Sequence, residues 1–209
     1  MRLVPLFLIL VALASCGRSG RPDVSAYTFS RTETGTLTRL CNNPALLGEP
    51  ANDISEGACG MDNPVAVRYV AGVRLSTPAT LNCRTANTLA DWVEHDAQDA
   101  VRKLRSPIAE ITIFASYACR SRNNQRGARL SEHALGNAID IGAFTLENGT
   151  ELSVEEDWGK VGKEGTAIGN LHRAACGPFG TVLGPNSDRY HYNHFHFDTA
   201  EYRSGTYCR

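Results

Sequence analysis

Apolar positions along the chain follow two rhythms, one of three to four residues and one of two. In "TANTLADWVEHDAQDAVRKLRS", Leu89, Trp92, Val93, Ala97, Ala100, Val101 and Leu104 recur at three- and four-residue steps, and basic residues gather at the end. This predicts an amphipathic helix with Trp92 in the core and His95 on the outer face. "GTAIGNLHRAAC" places Ile168, Leu171 and Ala175 on one side and predicts a second helix, with His172 given no chemical role. Alternation takes over in "EITIFAS", "NAIDIGAFTL", "TELSV", "FGTVLG" and "HFHFD", which read as strands. Glu147-Asn148-Gly149 makes a hairpin turn between two of them. The expected fold class is α+β: an antiparallel sheet with helices packed on one face, stabilised by disulfides.

Upstream of the first helix the pattern changes. Residues 36–80 are short-stranded, with Val65, Val67 and Tyr69 alternating in "MDNPVAVRYVAGVRLS", and read as a small β-rich element before a main domain at 81–209. Residues 16–35 are polar and rich in Gly and Ser, which suits a flexible tether. Residues 1–15 join Arg2 to an apolar run from Leu3 to Leu13, too short to span a bilayer comfortably, and read as an export signal. The signal ends in "LASC", which resembles a bacterial lipobox. That resemblance implies lipidation of Cys16 and a periplasm-facing, membrane-anchored protein. Gly17 after the cysteine implies the outer membrane.

Cysteine usage agrees with export. Apart from Cys16, six of the seven cysteines remain: Cys41, Cys59, Cys83, Cys119, Cys176 and Cys208. An even set without CxxC spacing reads as three disulfides, with Cys41–Cys59 and Cys119–Cys176 as the expected pairings. The net charge of −1 gives no sign of a nucleic-acid partner.

Three of the chain's six histidines crowd into "HYNHFHFD". A strand over "HFHFD" sends His194, His196 and Asp198 to one face and Phe195 and Phe197 to the other. Adjacent imidazoles on one face favour a shared cation. Upstream, "LSEHALGNAID" sets His133 seven residues before Asp140, with Gly136 between them. A turn at Gly136 swings His133 back beside Asp140. Two histidines and an aspartate form the open ligand set that leaves zinc's fourth position for water.

"SEHALGNAID" fits the SxHxxGxAxD pattern, and the downstream HxH completes a resemblance to the zinc D-Ala-D-Ala peptidases. That group includes lysostaphin-type enzymes and the hedgehog signalling domain. The HxxHxH spacing of His191, His194 and His196 resembles the penicillin-insensitive murein endopeptidases. "SYACRSRN", "LSEHALGNAIDIGAFTL", "DWG" and "GTVLGPNSDRYHYNHFHFD" resemble the bacterial extensin-like C-terminal domain family most closely.

The resemblance implies a hedgehog/DD-peptidase-like fold and one Zn2+ held by His133, Asp140 and His196. It makes His194 a base or transition-state stabiliser supported by His191, with Arg120 holding substrate or the oxyanion. Ser131 and Asp198 fall to substrate binding or support of the ligands, and Trp158 to a cleft wall or the core. One position departs from the pattern. The carboxypeptidase branch carries a glutamate three residues before its last zinc histidine, where this chain has Asn193. An amide cannot take a proton from water, so the base must be a histidine or a carboxylate from elsewhere, and the murein endopeptidase pattern makes a histidine the natural candidate. The expected function is a zinc-dependent amide hydrolase, endopeptidase or carboxypeptidase, acting on peptidoglycan with a metal-bound water as nucleophile. The alternative is a non-catalytic zinc-containing cell-wall-binding or interaction lipoprotein.

Overall fold

The computed structural model of the chain describes residues 37–201 and 205–209. The expected export signal, Cys16 and the whole of the expected tether lie outside the described residues. Six strands come first: β1 (Thr38–Leu40), β2 (Asn43–Pro50), β3 (Ile54–Glu56), β4 (Cys59–Met61), β5 (Val65–Val70) and β6 (Val73–Leu81). Helix α1 (Cys83–Asp91) follows, capped by the Asn82 side chain, which accepts the Thr85 N–H at 2.9 Å. It runs into a π-helical stretch (Trp92–Ala97), α2 (Gln98–Val101) and a 3-10 turn (Arg102–Leu104). After β7 (Ile108–Ala115) come two 3-10 turns, Arg122–Asn124 and Glu132–Leu135. Then β8 (Ala138–Leu146), β9 (Glu151–Ser153), α3 (Val154–Asp157), α4 (Lys163–Ala175), β10 (Thr181–Leu183), β11 (Phe195–Asp198) and β12 (Tyr207–Cys208) complete the chain.

The fold is mixed α+β and mostly sheet. Among the described residues, ten strands form one sheet in the order β1-β2-β5-β6-β7-β8-β11-β10-β12, with β9 paired to β8, while β3 and β4 form a separate hairpin. The sheet departs from the antiparallel expectation at two seams, β6–β7 and β10–β12, which are parallel. The first is made possible by the helical segment between its strands, since parallel neighbours need a crossover of a dozen residues or more. Through that seam the β-rich segment before residue 81 shares the sheet of the remainder.

Helices and phenylalanines share one face. Trp92 lies 5.3 Å from Phe197 and 6.3 Å from Phe179 between ring centroids, and Trp158 sits 5.7 Å from Phe195. All three phenylalanines are fully buried. Strand period therefore turns His196 and Asp198 to the opposite face. Strand β8 keeps its core side by a bulge: Ile113 faces Ile141 and Thr112 faces Ala143, leaving Gly142 as the extra residue. Ile139 and Ile141 before the bulge, and Phe144 and Leu146 after it, are all buried.

The disulfides are Cys41–Cys83, Cys59–Cys119 and Cys176–Cys208, with Cα–Cα distances of 5.3, 5.5 and 6.0 Å. This corrects the expected Cys41–Cys59 and Cys119–Cys176 pairs. Closure entropy grows slowly with loop length, so nearness in sequence is a weak guide and nearness in the fold decides. Cys41, beside β1, meets the start of α1. Cys59, on the β3–β4 hairpin, meets the segment leaving β7.

Candidate metal centre and its cleft

On the face opposite the helices, three ligand atoms converge. His133 Nε2 lies 3.1 Å from Asp140 Oδ1 and 3.1 Å from His196 Nδ1, and His196 Nδ1 lies 2.9 Å from the same carboxylate oxygen. His133, Asp140 and His196 are all buried, and together they could hold a metal ion. Local sequence explains the convergence. The 3-10 turn carrying His133 ends at Gly136 in the left-handed region, φ 65°, which bends the chain into β8. Register does the rest, because β11 pairs with β8 so that His196 stands opposite Asp140.

Gly136 is held tightly. A Cβ there would meet the Met61 Sδ at 2.3 Å, and the positive φ disfavours any side chain. Gly136→Ala is expected to destabilise the fold by about 1–3 kcal/mol. A denaturant titration checks this, and zinc affinity is expected to fall with it because His133 moves.

The outer nitrogens of both imidazoles are already engaged. His133 Nδ1 donates to the Ser116 carbonyl at 2.6 Å, and His196 Nε2 donates to Asp198 Oδ2 at 3.2 Å. In the neutral rings, His133 Nε2 and His196 Nδ1 then carry lone pairs, aimed at one another and at a carboxylate. Three lone pairs about 3 Å apart need a cation between them. A tetrahedral zinc with arms of about 2.0–2.1 Å would separate its ligands by roughly 3.3 Å, so the donor set fits zinc with a small expansion.

Without metal a proton takes that role. Burial disfavours a charged His196, but its hydrogen bonds with Asp140 and Asp198 prevail and raise it to about 9. Burial likewise disfavours a charged Asp140, yet hydrogen bonds from His133 and His196 hold it well below the usual carboxylate range.

The remaining predicted site residues divide into two groups. His194, just ahead of β11, points its Nε2 at Asp140 Oδ1 from 3.7 Å. Its Nδ1 donates to Asn193 Oδ1 at 2.9 Å, which leaves Nε2 unprotonated in the neutral ring. Burial, chiefly, holds its pKa below the ordinary histidine value. His191 packs 5.2 Å from the His194 ring and donates from Nδ1 to Asp188 Oδ1 at 2.8 Å. Arg120 reaches Asp140 Oδ2 at 3.8 Å. Ser131 precedes the turn of His133 without a side-chain cap bond and is buried.

Trp158 is not at the cleft, which corrects that alternative. It packs against His172 and Phe195 on the helical face, because Phe195 and His196 alternate across β11. His95 is exposed. His172 is buried near Trp158, with Nε2 against the Arg209 carbonyl oxygen at 3.0 Å.

A cleft of about 380 Å³ opens over the triad. Arg120, Ser131, His191 and His194 line it, as do Arg122, Asp188 and Tyr190, which the sequence did not single out. Asn193 also belongs to this constellation. Read in sequence as a lost carboxylate, it sets the tautomer of His194.

The model for the C-terminus of extensin-like proteins matches residues 38–209. The chain belongs to the extensin-like C-terminal family. No curated protein and no solved structure matches it. The match begins at β1 and runs to the end of the chain, so this extensin-like region includes the early strands together with the cleft.

Proposed function

We propose that the chain is a zinc-dependent amide hydrolase acting on peptidoglycan stem peptides or their cross-links. The observation that carries this reading is the buried meeting of three lone-pair atoms, His133 Nε2, Asp140 Oδ1 and His196 Nδ1, beneath an open cleft. The SxHxxGxAxD pattern over Ser131–Asp140, followed by the paired histidines, supports it through the resemblance to zinc D-Ala-D-Ala peptidases. A lipid on Cys16 and a tether would keep such an enzyme at the envelope, within reach of the wall.

Zinc held by the three ligands would polarise a scissile carbonyl and bring the pKa of a water at its open position toward about 7. The chain's own residues supply the rest. His194, neutral with a free Nε2 beside the triad, takes the proton of the attacking water and returns it to the leaving amine. Arg120, beside the other oxygen of Asp140, stabilises the negative charge that develops on the carbonyl oxygen. Asp188 fixes His191, and His191 packs against His194 and limits its rotation. Asp198 orients His196 from behind.

The test is incubation of the purified full chain with muropeptides, with zinc and with chelator. Release of cleaved stem peptides, lost with chelator and in His196→Ala, is the expected result. Bound zinc without turnover of any muropeptide points instead to a wall-binding module, and failure to bind zinc at all sinks both readings.

A further inference from the structure

Two segments that line the cleft are tied to each other. One contains the turn Arg122–Asn124, and the other is the segment Asp188–His191. Gln125 Nε2 donates to Tyr190 Oη at 2.7 Å, joining segments 65 residues apart. Both sides of this bridge are built to hold it. Arg189 donates to the same phenolic oxygen at 2.7 Å, and its guanidinium lies 4.8 Å from the Tyr190 ring centre. Asp188 Oδ1 accepts the Tyr190 N–H at 2.7 Å and the His191 ring N–H at 2.8 Å, so the bridge is continuous with the histidine pair. On the other segment, Asn123 and Asn124 both adopt the left-handed backbone, φ 54°, and Ser121 Oγ donates to the Gln125 carbonyl at 2.7 Å.

We propose that the Gln125–Tyr190 bridge is an end wall of the substrate cleft, and that it selects peptides that terminate inside the cleft over cross-linked peptides that continue past it. The proposal rests on the reading that this cleft takes wall peptides. Three features carry it. Where the walls are tied, a backbone cannot run on unless the tie opens. The space, about 380 Å³, is at the small end of ligand clefts and suits a short peptide. Beside the wall stands Arg122, half-exposed and shared with Glu132 at 3.4 Å, a planar cation suited to a terminal carboxylate. The phenol accepts two hydrogen bonds and keeps its own hydrogen for a substrate acceptor.

The test measures binding, so that it does not depend on turnover. Zinc-loaded full chain is titrated calorimetrically with a monomeric stem-peptide muropeptide and with its cross-linked dimer. The wild type is expected to prefer the monomer about tenfold. Tyr190→Phe and Gln125→Ala, which remove opposite ends of the bridge and leave the triad untouched, are expected to cut that preference about fivefold, mainly by tightening the dimer. Equal or better binding of the dimer by the wild type, an unchanged preference in both variants, or no binding of either ligand overturns the proposal. Cleavage assays on the same samples judge the hydrolase reading separately. Absence of turnover with the preference intact would remove that reading and leave the end wall standing.

Discussion

His194→Gln is expected to keep its zinc and lose between about 10²- and 10⁴-fold in muropeptide turnover, the usual contribution of a positioned general base. The separation follows from geometry. The three ligand atoms lie within 2.9–3.1 Å of one another, whereas His194 stands 3.7 Å from Asp140 and is held by Asn193 rather than by the triad. Zinc stoichiometry by metal analysis, beside initial rates, checks it. A variant that loses metal along with activity would make His194 a ligand, and a variant that keeps full activity would remove it from the mechanism.

A second readout distinguishes proton transfer from mere packing. His194 works only when neutral, and burial depresses its pKa, so the acidic limb of the rate profile belongs below the ordinary histidine value of 6.5. Asn193→Ala removes the acceptor that fixes the tautomer while leaving the ring in place. It is expected to lower turnover less than His194→Gln does, without loss of zinc.

Most of the centre is legible in the sequence because short-range geometry sets it. Alternation in "HFHFD" sorts His196 and Asp198 from Phe195 and Phe197, and Gly136 marks the bend that brings His133 round to Asp140. The parts that were not legible are long-range. Nothing local says that β11 pairs with β8 in the register setting His196 opposite Asp140, since that register is decided by which faces two distant strands bury. The six cysteines do form three disulfides, but the expected pairings fail for the same reason: Cys59 finds Cys119 across the fold rather than Cys41 along the chain. The contact of Asn193 with His194 was not legible either, because an amide in the place of a carboxylate says nothing of the ring its oxygen accepts from. The Asp188–His191 pair did carry a sequence signal, a carboxylate three residues before a histidine in a loop, but one too common to point anywhere alone.

The metal-free protein is expected to lose stability as pH rises from 6.5 to about 9, and zinc is expected to abolish that loss. His196 is raised to about 9 in the fold against 6.5 ordinarily. A raised folded value means that its contribution is fully present below 6.5 and lost as pH passes through 9. At 1.36 kcal/mol per pH unit the gap corresponds to roughly 3 kcal/mol, which for a chain of this size lowers the melting temperature by about 6–12 °C. The depressed Asp140 acts from the other side, its contribution being lost only in strong acid, and because it shares the same hydrogen bonds it is not counted again. Zinc competes with the proton on His196 Nδ1, so apparent zinc affinity should climb about tenfold per pH unit up to roughly 9, with one proton released on binding. Melting curves with and without zinc at several pH values measure both effects together. A metal-free melting temperature that stays flat between pH 6.5 and 9 would mean that no proton occupies the centre, and the lone pairs of His133, Asp140 and His196 would then need some other partner.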